Sequence, residues 1–396
     1  MKKFFIFVII FLLFSLNIKA IDINSKYAVV YNLNDDNIIY EKNSNEKSSV
    51  ASLTKIMTTI LTIEKVSNLD DTVTVTYNDL LGLNGYAVAG FKAGDKVTYN
   101  DLIYALMLPS GADAGQILAN SIAGSIEEFA NLMNEKANTI GMKNTHFSNP
   151  IGKDDDNYST ASDMALLLKY AIKNDKFKDV FNKSEYTTTN NIKLSKTTNS
   201  VAKKYSIDIS SLTGSKTGFT NEASYCLAST STLNNVNYLV ITLGAEKLPD
   251  HINDTMYLYN YFDSNYSYKE ILKNKQLLKT IKVKESKTKE YNIYSNKSIK
   301  KYLSNDIDLN KIKYEYKGVE VLNRKIKKGD YLGKVKIIYD NNTLDTYKVY
   351  LDKDIKYYNY FLLLIPLGIM ILFVIIIKAK LKKKKRKKNK KKRAIR

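Results

Sequence analysis

Ser52 and Lys55 stand three residues apart at the head of an apolar-periodic run. On a helix that spacing puts both side chains on one face. A serine hydroxyl becomes a nucleophile at neutral pH only with a base beside it, and a lysine can be that base only when neutral. Bringing an amine from about 10.4 to about 7 costs roughly 4–5 kcal/mol, supplied by burial and neighbouring positive charge. Lys216, in the triplet Lys216-Thr217-Gly218, is the candidate neighbour, and Ser110, in Ser110-Gly111-Ala112, offers a second hydroxyl. Free N–H groups at a helix start also favour a developing anion at Ser52.

Each of these short words is weak alone. Ser-x-x-Lys recurs at Ser44/Lys47, Ser200/Lys203, Ser286/Lys289 and Ser298/Lys301 in a chain with 61 lysines and arginines. Taken singly, Ser52 reads as a helix N-cap, Ser110 as a turn residue and Lys216 as an exposed lysine on a strand edge. Only Ser52 opens a long run, with Ile56, Ile60 and Ile63 on one stripe and Met57 and Leu61 beside it. Lys-Thr-Gly occurs once. Their order along one chain is what favours the catalytic reading.

The elements that position these residues follow from patterning. Tyr27–Leu33 and Asn37–Tyr40 read as a hairpin around Asn34-Asp35-Asp36. Helices are expected from about Ser52 to Val66, from an Asn100 cap to Leu108, from Asp113 to Ile122, from Glu127 to Gly141 and, capped by Ser159 or Thr160, to Ile172. Ser215–Phe219, Ala223–Thr230 and Tyr238–Leu243 read as strands, and Asn253–Phe262 as a helix. Strands at both ends with helices between imply an α/β (α+β) unit with an antiparallel sheet, residues 21–265. Six short strand candidates between Leu277 and Leu351 predict a small all-β domain over 268–352. It carries no catalytic grouping and reads as a spacer.

The formal charge of +21 is terminal. Lys378 to Arg396 hold 14 basic residues and no acid, and Lys2, Lys3 and Lys19 hold three more, leaving +4 for the rest. That distribution argues against nucleic-acid binding. Met1-Lys2-Lys3, the apolar run Phe4–Leu16 and Ala20 predict a signal peptide over 1–20. A second apolar run, Phe361–Ile377, extended by Tyr357–Tyr360, predicts a transmembrane helix over 357–377, with a basic cytoplasmic tail over 378–396. No Leu-Pro-x-Thr-Gly precedes it, so it reads as a retained anchor rather than a wall-sorting signal. The expected location is the cell membrane, one C-terminal span, with the catalytic part outside. Cys226 is the single cysteine, so no internal disulfide forms, and with two histidines no metal or cofactor is expected.

The chain resembles the D-alanyl-D-alanine carboxypeptidase family of low-molecular-mass penicillin-binding proteins over roughly Ile23–Phe262. The resemblance rests on the segments Ala51–Thr58, Leu108–Ala114, His146–Gly152, Tyr158–Ala161 and Gly214–Thr220. It implies a β-lactamase-like transpeptidase fold, a helical cluster against an antiparallel sheet. It also implies a stem peptide ending in D-Ala-D-Ala as substrate and β-lactams as covalent inhibitors. By resemblance, Ser52 attacks the peptide carbonyl, Lys55 takes its proton and Ser110 relays one to the leaving amine. Lys216 and Thr217 hold the terminal carboxylate, Gly218 lets substrate lie on the strand, and the N–H groups of Ser52 and Phe219 hold the oxyanion.

Two positions depart from the family pattern: Ala112 stands where the family has Asn, and Ser224 where it has Gly. Ala112 motivates an alternative, a catalytically weakened or non-catalytic wall-binding protein on the same fold. A β-lactamase is the third reading. The class A enzymes of that type use a loop glutamate, and Asp154-Asp155-Asp156 offers none.

Overall fold

The structure, a computed structural model, describes residues 21–153 and 156–393. The expected signal peptide and the acidic pair at 154–155 lie outside the described residues. The chain divides into two compact units between Ser264 and Asn265.

In the first unit a five-stranded antiparallel sheet is built from both ends of the sequence. Its strands are β1 (Tyr27–Asn32), β2 (Asn37–Lys42), β3 (Leu212–Thr220), β4 (Ser224–Leu233) and β5 (Val236–Ala245), in the order β2-β1-β5-β4-β3. The Lys-Thr-Gly triplet therefore lies on an edge strand, as patterning predicts. In the β3–β4 register Ala228 faces Lys216 and Cys226 faces Gly218. Cys226 is fully buried, and burial pushes its thiol up to about 12.

Between the two halves of the sheet run α1 (Lys55–Lys65), α2 (Tyr99–Met107), α3 (Ala112–Ala123), α4 (Ile126–Ile140), α5 (Ala161–Ala171), α6 (Asp175–Asn182) and α7 (Thr197–Lys204). The unit closes with α8 (Asp250–Asn265). The stripe Ile56, Met57, Ile60 and Leu61 of α1 is buried against Leu102, Leu106, Leu118 and Phe147 in one core. Local caps set the boundaries. Thr98, not Asn100, caps α2: its hydroxyl accepts from Asp101 N–H, and the Asp101 carboxylate accepts from Thr98 N–H. Thr160 rather than Ser159 caps α5. Gly141 ends α4 in the left-handed region.

The second unit is all-β, with β6 (Tyr266–Leu272), β7 (Leu277–Val283), β8 (Glu290–Tyr294), β9 (Ile299–Ser304), β10 (Lys313–Gly318), β11 (Val321–Leu322), β12 (Tyr331–Tyr339) and β13 (Asn342–Tyr350). They form a β6-β9 pair and the sheets β8-β7-β11 and β10-β12-β13 over a core of Ile281, Leu322, Val335 and Ile337. A helix, α9 (Phe361–Arg393), follows. It starts four residues later than expected. Tyr357 is bridged to Ser286 and donates its hydroxyl to the Asn323 carbonyl, so that stretch is part of the β fold. Residues Leu364–Lys390 are long and apolar enough to cross a membrane, and that stretch buries nothing against the protein.

Candidate active site

Ser52 sits in a single 3-10 turn, Ala51–Thr54, that runs directly into α1. The turn is strained at its entry: Ala51 has φ +46°, a region L-residues rarely adopt. Two glycines make that backbone possible. A Cβ on Gly152 (φ +74°) would lie 1.9 Å from the Ala51 carbonyl oxygen. A Cβ on Gly218 would lie 3.1 Å from the Val50 oxygen and 3.2 Å from the Ser52 nitrogen. Gly218 thus lets β3 close onto the nucleophile turn, a contact not anticipated from sequence. Asn149 fixes the Gly152 segment, its amide oxygen accepting from the N–H groups of Ile151, Gly152 and Lys153 at 2.9–3.1 Å. Thr58 of α1 donates to the Pro150 carbonyl at 2.6 Å. The His146–Gly152 segment therefore acts as a clamp on the turn that carries Ser52.

Lys55, the first residue of α1, is 2% exposed. Its Nζ donates to Ser52 Oγ at 2.8 Å and to Ser110 Oγ at 3.2 Å. Ser110 joins α2 to α3 with φ +65°, a second strained non-glycine residue at the site. From β3, Lys216 Nζ donates to Ser110 Oγ at 3.0 Å and to the Thr217 carbonyl at 2.7 Å. Four of the expected residues, Ser52, Lys55, Ser110 and Lys216, thus form one continuous hydrogen-bonded chain. Lys216 is 1% exposed, so its ammonium stands behind Ser110 rather than in the open groove.

Burial in a low-dielectric core disfavours a charged amine. It holds the Lys55 amine at about 7 instead of 10.5, against the opposing pull of the Asp113 carboxylate. Burial also holds Lys216 well below its usual range, with Lys55 and then Lys196 adding like-charge repulsion. A base at neutral pH results, as the sequence requires, with burial rather than a neighbouring cation as the leading cause for Lys55.

Two residues escape sequence reasoning. Asp113, 1% exposed, accepts from the N–H groups of Ala89, Gly90, Phe91 and Ala114 at 2.8–3.3 Å, tying the 87–91 loop to the start of α3. Lys196 is buried, donates to the Phe181 carbonyl, and has its amine lowered to about 8 by burial. Asp113 falls within the Leu108–Ala114 segment, but nothing there reveals its hold on the 87–91 loop, and Lys196 stands in no pattern that marks it. Ala112 is 1% exposed and packs with Leu83 and Ile151 beside Tyr86, its N–H donating to the Ala87 carbonyl at 2.7 Å. Ser224 adopts φ +54°, which accounts for glycine there in the family pattern.

Ser52, Lys55 and Ser110 open into a cavity of about 840 Å³ whose lining includes Thr217, Gly218 and Phe219. A serine on a turn strained at Ala51, a neutral lysine within hydrogen-bond reach and a second serine bonded to that lysine make a nucleophile, a base and a proton relay.

Residues 15–247 match the family described as D-alanyl-D-alanine carboxypeptidase. The chain belongs to the D-alanyl-D-alanine carboxypeptidase family. Residues 266–357 match the domain described as penicillin-binding protein 5, C-terminal domain. The D-alanyl-D-alanine carboxypeptidase DacF of Bacillus subtilis is 29% identical over 340 residues, 84% of this chain and 86% of that protein. The D-alanyl-D-alanine carboxypeptidase of Streptomyces sp. strain K15 is 33% identical over 241 residues, 56% of this chain and 81% of the relative. Among solved structures, the carboxypeptidase DacD of Francisella tularensis shares the fold with a TM-score of 0.67 at 24% identity, over 85% of this chain and 95% of that one. The Streptomyces K15 DD-transpeptidase has a TM-score of 0.55 at 31% identity, over 61% of this chain and 97% of that one. This carboxypeptidase family accounts for the sheet-and-helix fold, the all-β unit and the serine-peptidase chemistry together. Nothing in the comparisons favours a non-catalytic protein or a β-lactamase.

Proposed function

We propose that this serine carboxypeptidase removes the terminal D-alanine from peptidoglycan stem peptides through an acyl-enzyme on Ser52. The carrying observation is the Lys55 amine, buried, held at about 7 and donating to both Ser52 and Ser110. Ser52 Oγ attacks the carbonyl between the two D-alanines while neutral Lys55 takes its proton. Ser110 passes a proton to the departing D-alanine amine as the C–N bond breaks. Lys55, hydrogen-bonded to Ser110 as well, replenishes that proton with the one it took from Ser52, and Lys216 holds the Ser110 hydroxyl from behind. Thr217, which lines the cavity, meets the terminal carboxylate. The N–H groups of Ser52 and Phe219 hold the oxyanion. Water then cleaves the ester, releasing the shortened peptide and restoring Ser52.

β-Lactams fill the same role as the D-Ala-D-Ala amide and leave a stable ester. The apolar part of α9 anchors the chain. Its basic continuation faces the cytoplasm, as the excess of lysine over acid in that segment favours. The deciding experiment is intact mass measurement of the full chain and its Ser52→Ala variant after benzylpenicillin, together with D-alanine release from a wall pentapeptide. An adduct and release on the wild type alone support the proposal. A folded wild type that forms neither refutes it.

A further inference from the structure

The charge between the two termini is split by unit. Residues 265–357 hold 23 lysines and arginines against 12 acids, net +11, while residues 21–264 hold 21 against 28, net −7. An anionic surface attracts the first set and repels the second. The all-β unit is also the one joined to α9, and the join is short. Tyr358 N–H donates to the Glu285 carbonyl at 2.7 Å, and α9 begins three residues later at Phe361. Three residues reach at most about 11 Å, close to one Debye length at 0.1 M salt.

The β11–β12 loop, Asn323–Asp330, is fixed to this root. The Asn323 carbonyl accepts from the Tyr357 hydroxyl at 2.7 Å. Arg324 donates to the Tyr358 carbonyl, lies 4.9 Å from the centre of the Tyr360 ring and pairs with Glu285 at 2.8 Å. Inside the loop, the Asn323 side chain accepts from Lys325 N–H and the Asp330 carboxylate from Lys327 N–H, both at 2.9 Å. Lys325, Lys327 and Lys328 are therefore presented on a held turn beside the start of α9.

Aromatic residues share that end. Tyr331 follows the loop and faces Tyr350 across β12 and β13, their rings edge to face at 5.6 Å. Both are about half exposed, as is Tyr360 in the linker to α9. An exposed lysine alone is merely solvated. Lysines and exposed tyrosines gathered around the root of an apolar helix match a headgroup layer, where the ring meets the apolar boundary and the hydroxyl and ammonium stay wet.

We infer that the Asn323–Asp330 loop, with Tyr331 and Tyr350, docks on anionic phospholipid headgroups around the anchor. This inference rests on the reading of α9 as a membrane anchor. It adds a lipid preference and a second hold that keeps the all-β unit down on the bilayer.

The test reconstitutes the full chain in vesicles of phosphatidylcholine, alone or with one-third phosphatidylglycerol. A brief pulse of a membrane-impermeant acetylating ester then labels lysines, and mass spectrometry reads the rate at each. An ammonium held at an anionic surface gives up its proton less readily. Lys327 should therefore react about threefold more slowly with phosphatidylglycerol present, and equally in both vesicles at molar salt. Lys313 is the internal reference, because it pairs with Ile338, seven residues along β12 from Tyr331. That is about 23 Å away, so its rate should not change. With Lys325→Gln and Lys328→Gln together, the difference at Lys327 should fall below about 1.5-fold. With Lys325→Arg and Lys328→Arg, which keep the charge, it should persist, and this pair decides the matter if the amide pair folds poorly. A chain that floats with both vesicles yet shows no lipid-dependent protection of Lys327, or equal protection of Lys313, overturns the headgroup site and leaves the anchor reading intact. A chain that floats with neither overturns both. Protection by soluble polyglycerol phosphate over neutral vesicles, with none from phosphatidylglycerol, assigns the loop to a wall polymer and overturns the lipid.

Discussion

Replacing the base should make the protein more stable. Lys55 is fully buried, and its amine is held at about 7 instead of 10.5. Between those values the unfolded chain binds a proton that the folded site rejects. Lys55 therefore weakens folding fully below about pH 7, and the penalty fades as pH rises toward 10.5. At ~1.4 kcal/mol per pH unit the full penalty is about 5 kcal/mol. Lys55→Met removes it, but it also removes the hydrogen bonds to Ser52 and Ser110, worth about 1 kcal/mol each. The net gain at pH 7 is about 3 kcal/mol, or about 5–10 °C in Tm for a unit of this size. Near pH 10.5 the penalty is gone, only the lost hydrogen bonds remain, and the variant falls below the wild type. Lys216 reinforces the trend, because loss of the Lys55 charge relieves one of the causes that lower its amine. Calorimetric unfolding of both full chains in detergent at pH 7 and pH 10 measures the difference. A variant that melts at or below the wild type at pH 7, or a gain that does not shrink with pH, refutes the burial argument.

Three other outcomes follow from the geometry. Acylation by benzylpenicillin, measured by stopped flow, should rise about fivefold from pH 6 to 7 and less than twofold from 7 to 8, as Lys55 loses its proton near 7; a rate still climbing at pH 10 contradicts this. Gly152→Ala places a methyl 1.9 Å from the Ala51 carbonyl oxygen at a φ of +74°, so urea titration should show a loss of about 2–4 kcal/mol and acylation should slow sharply. Ala112→Asn forces an amide into the cluster of Leu83 and Ile151, so the variant should lose about 1–3 kcal/mol and release D-alanine no faster than the wild type; faster release would show that the family's usual asparagine is simply missing here.

Much of the site was legible because helical and strand spacing are local. Ser52 and Lys55 meet through a one-turn offset, and Lys216 faces them because the triplet with Gly218 lies on an edge strand. What stayed hidden depends on packing at a distance. Asp113 looks like any helix-start acid until the 87–91 loop folds onto it. Lys196 lies in a polar stretch and is buried only because β3, α6 and α7 converge around it. The all-β unit was only partly legible for a related reason. In β6 and β9, lysines and half-buried tyrosines interleave, so no continuous apolar alternation marks them. The short helices α6 and α7 escaped too, since eight residues give barely two turns of period.

Cys226 gives the molecule an internal clock. It is the single sulfhydryl of the chain, sealed one strand behind Gly218, with its thiol near 12. A thiol reagent reaches it only when the β3–β4 hairpin parts. The alkylation rate of the native protein therefore counts openings of the strand that borders the nucleophile, with no engineered label and no second cysteine to subtract. A bound β-lactam that stitches Ser52 to this wall would slow that count, making antibiotic occupancy readable as chemical silence at a residue the drug never touches.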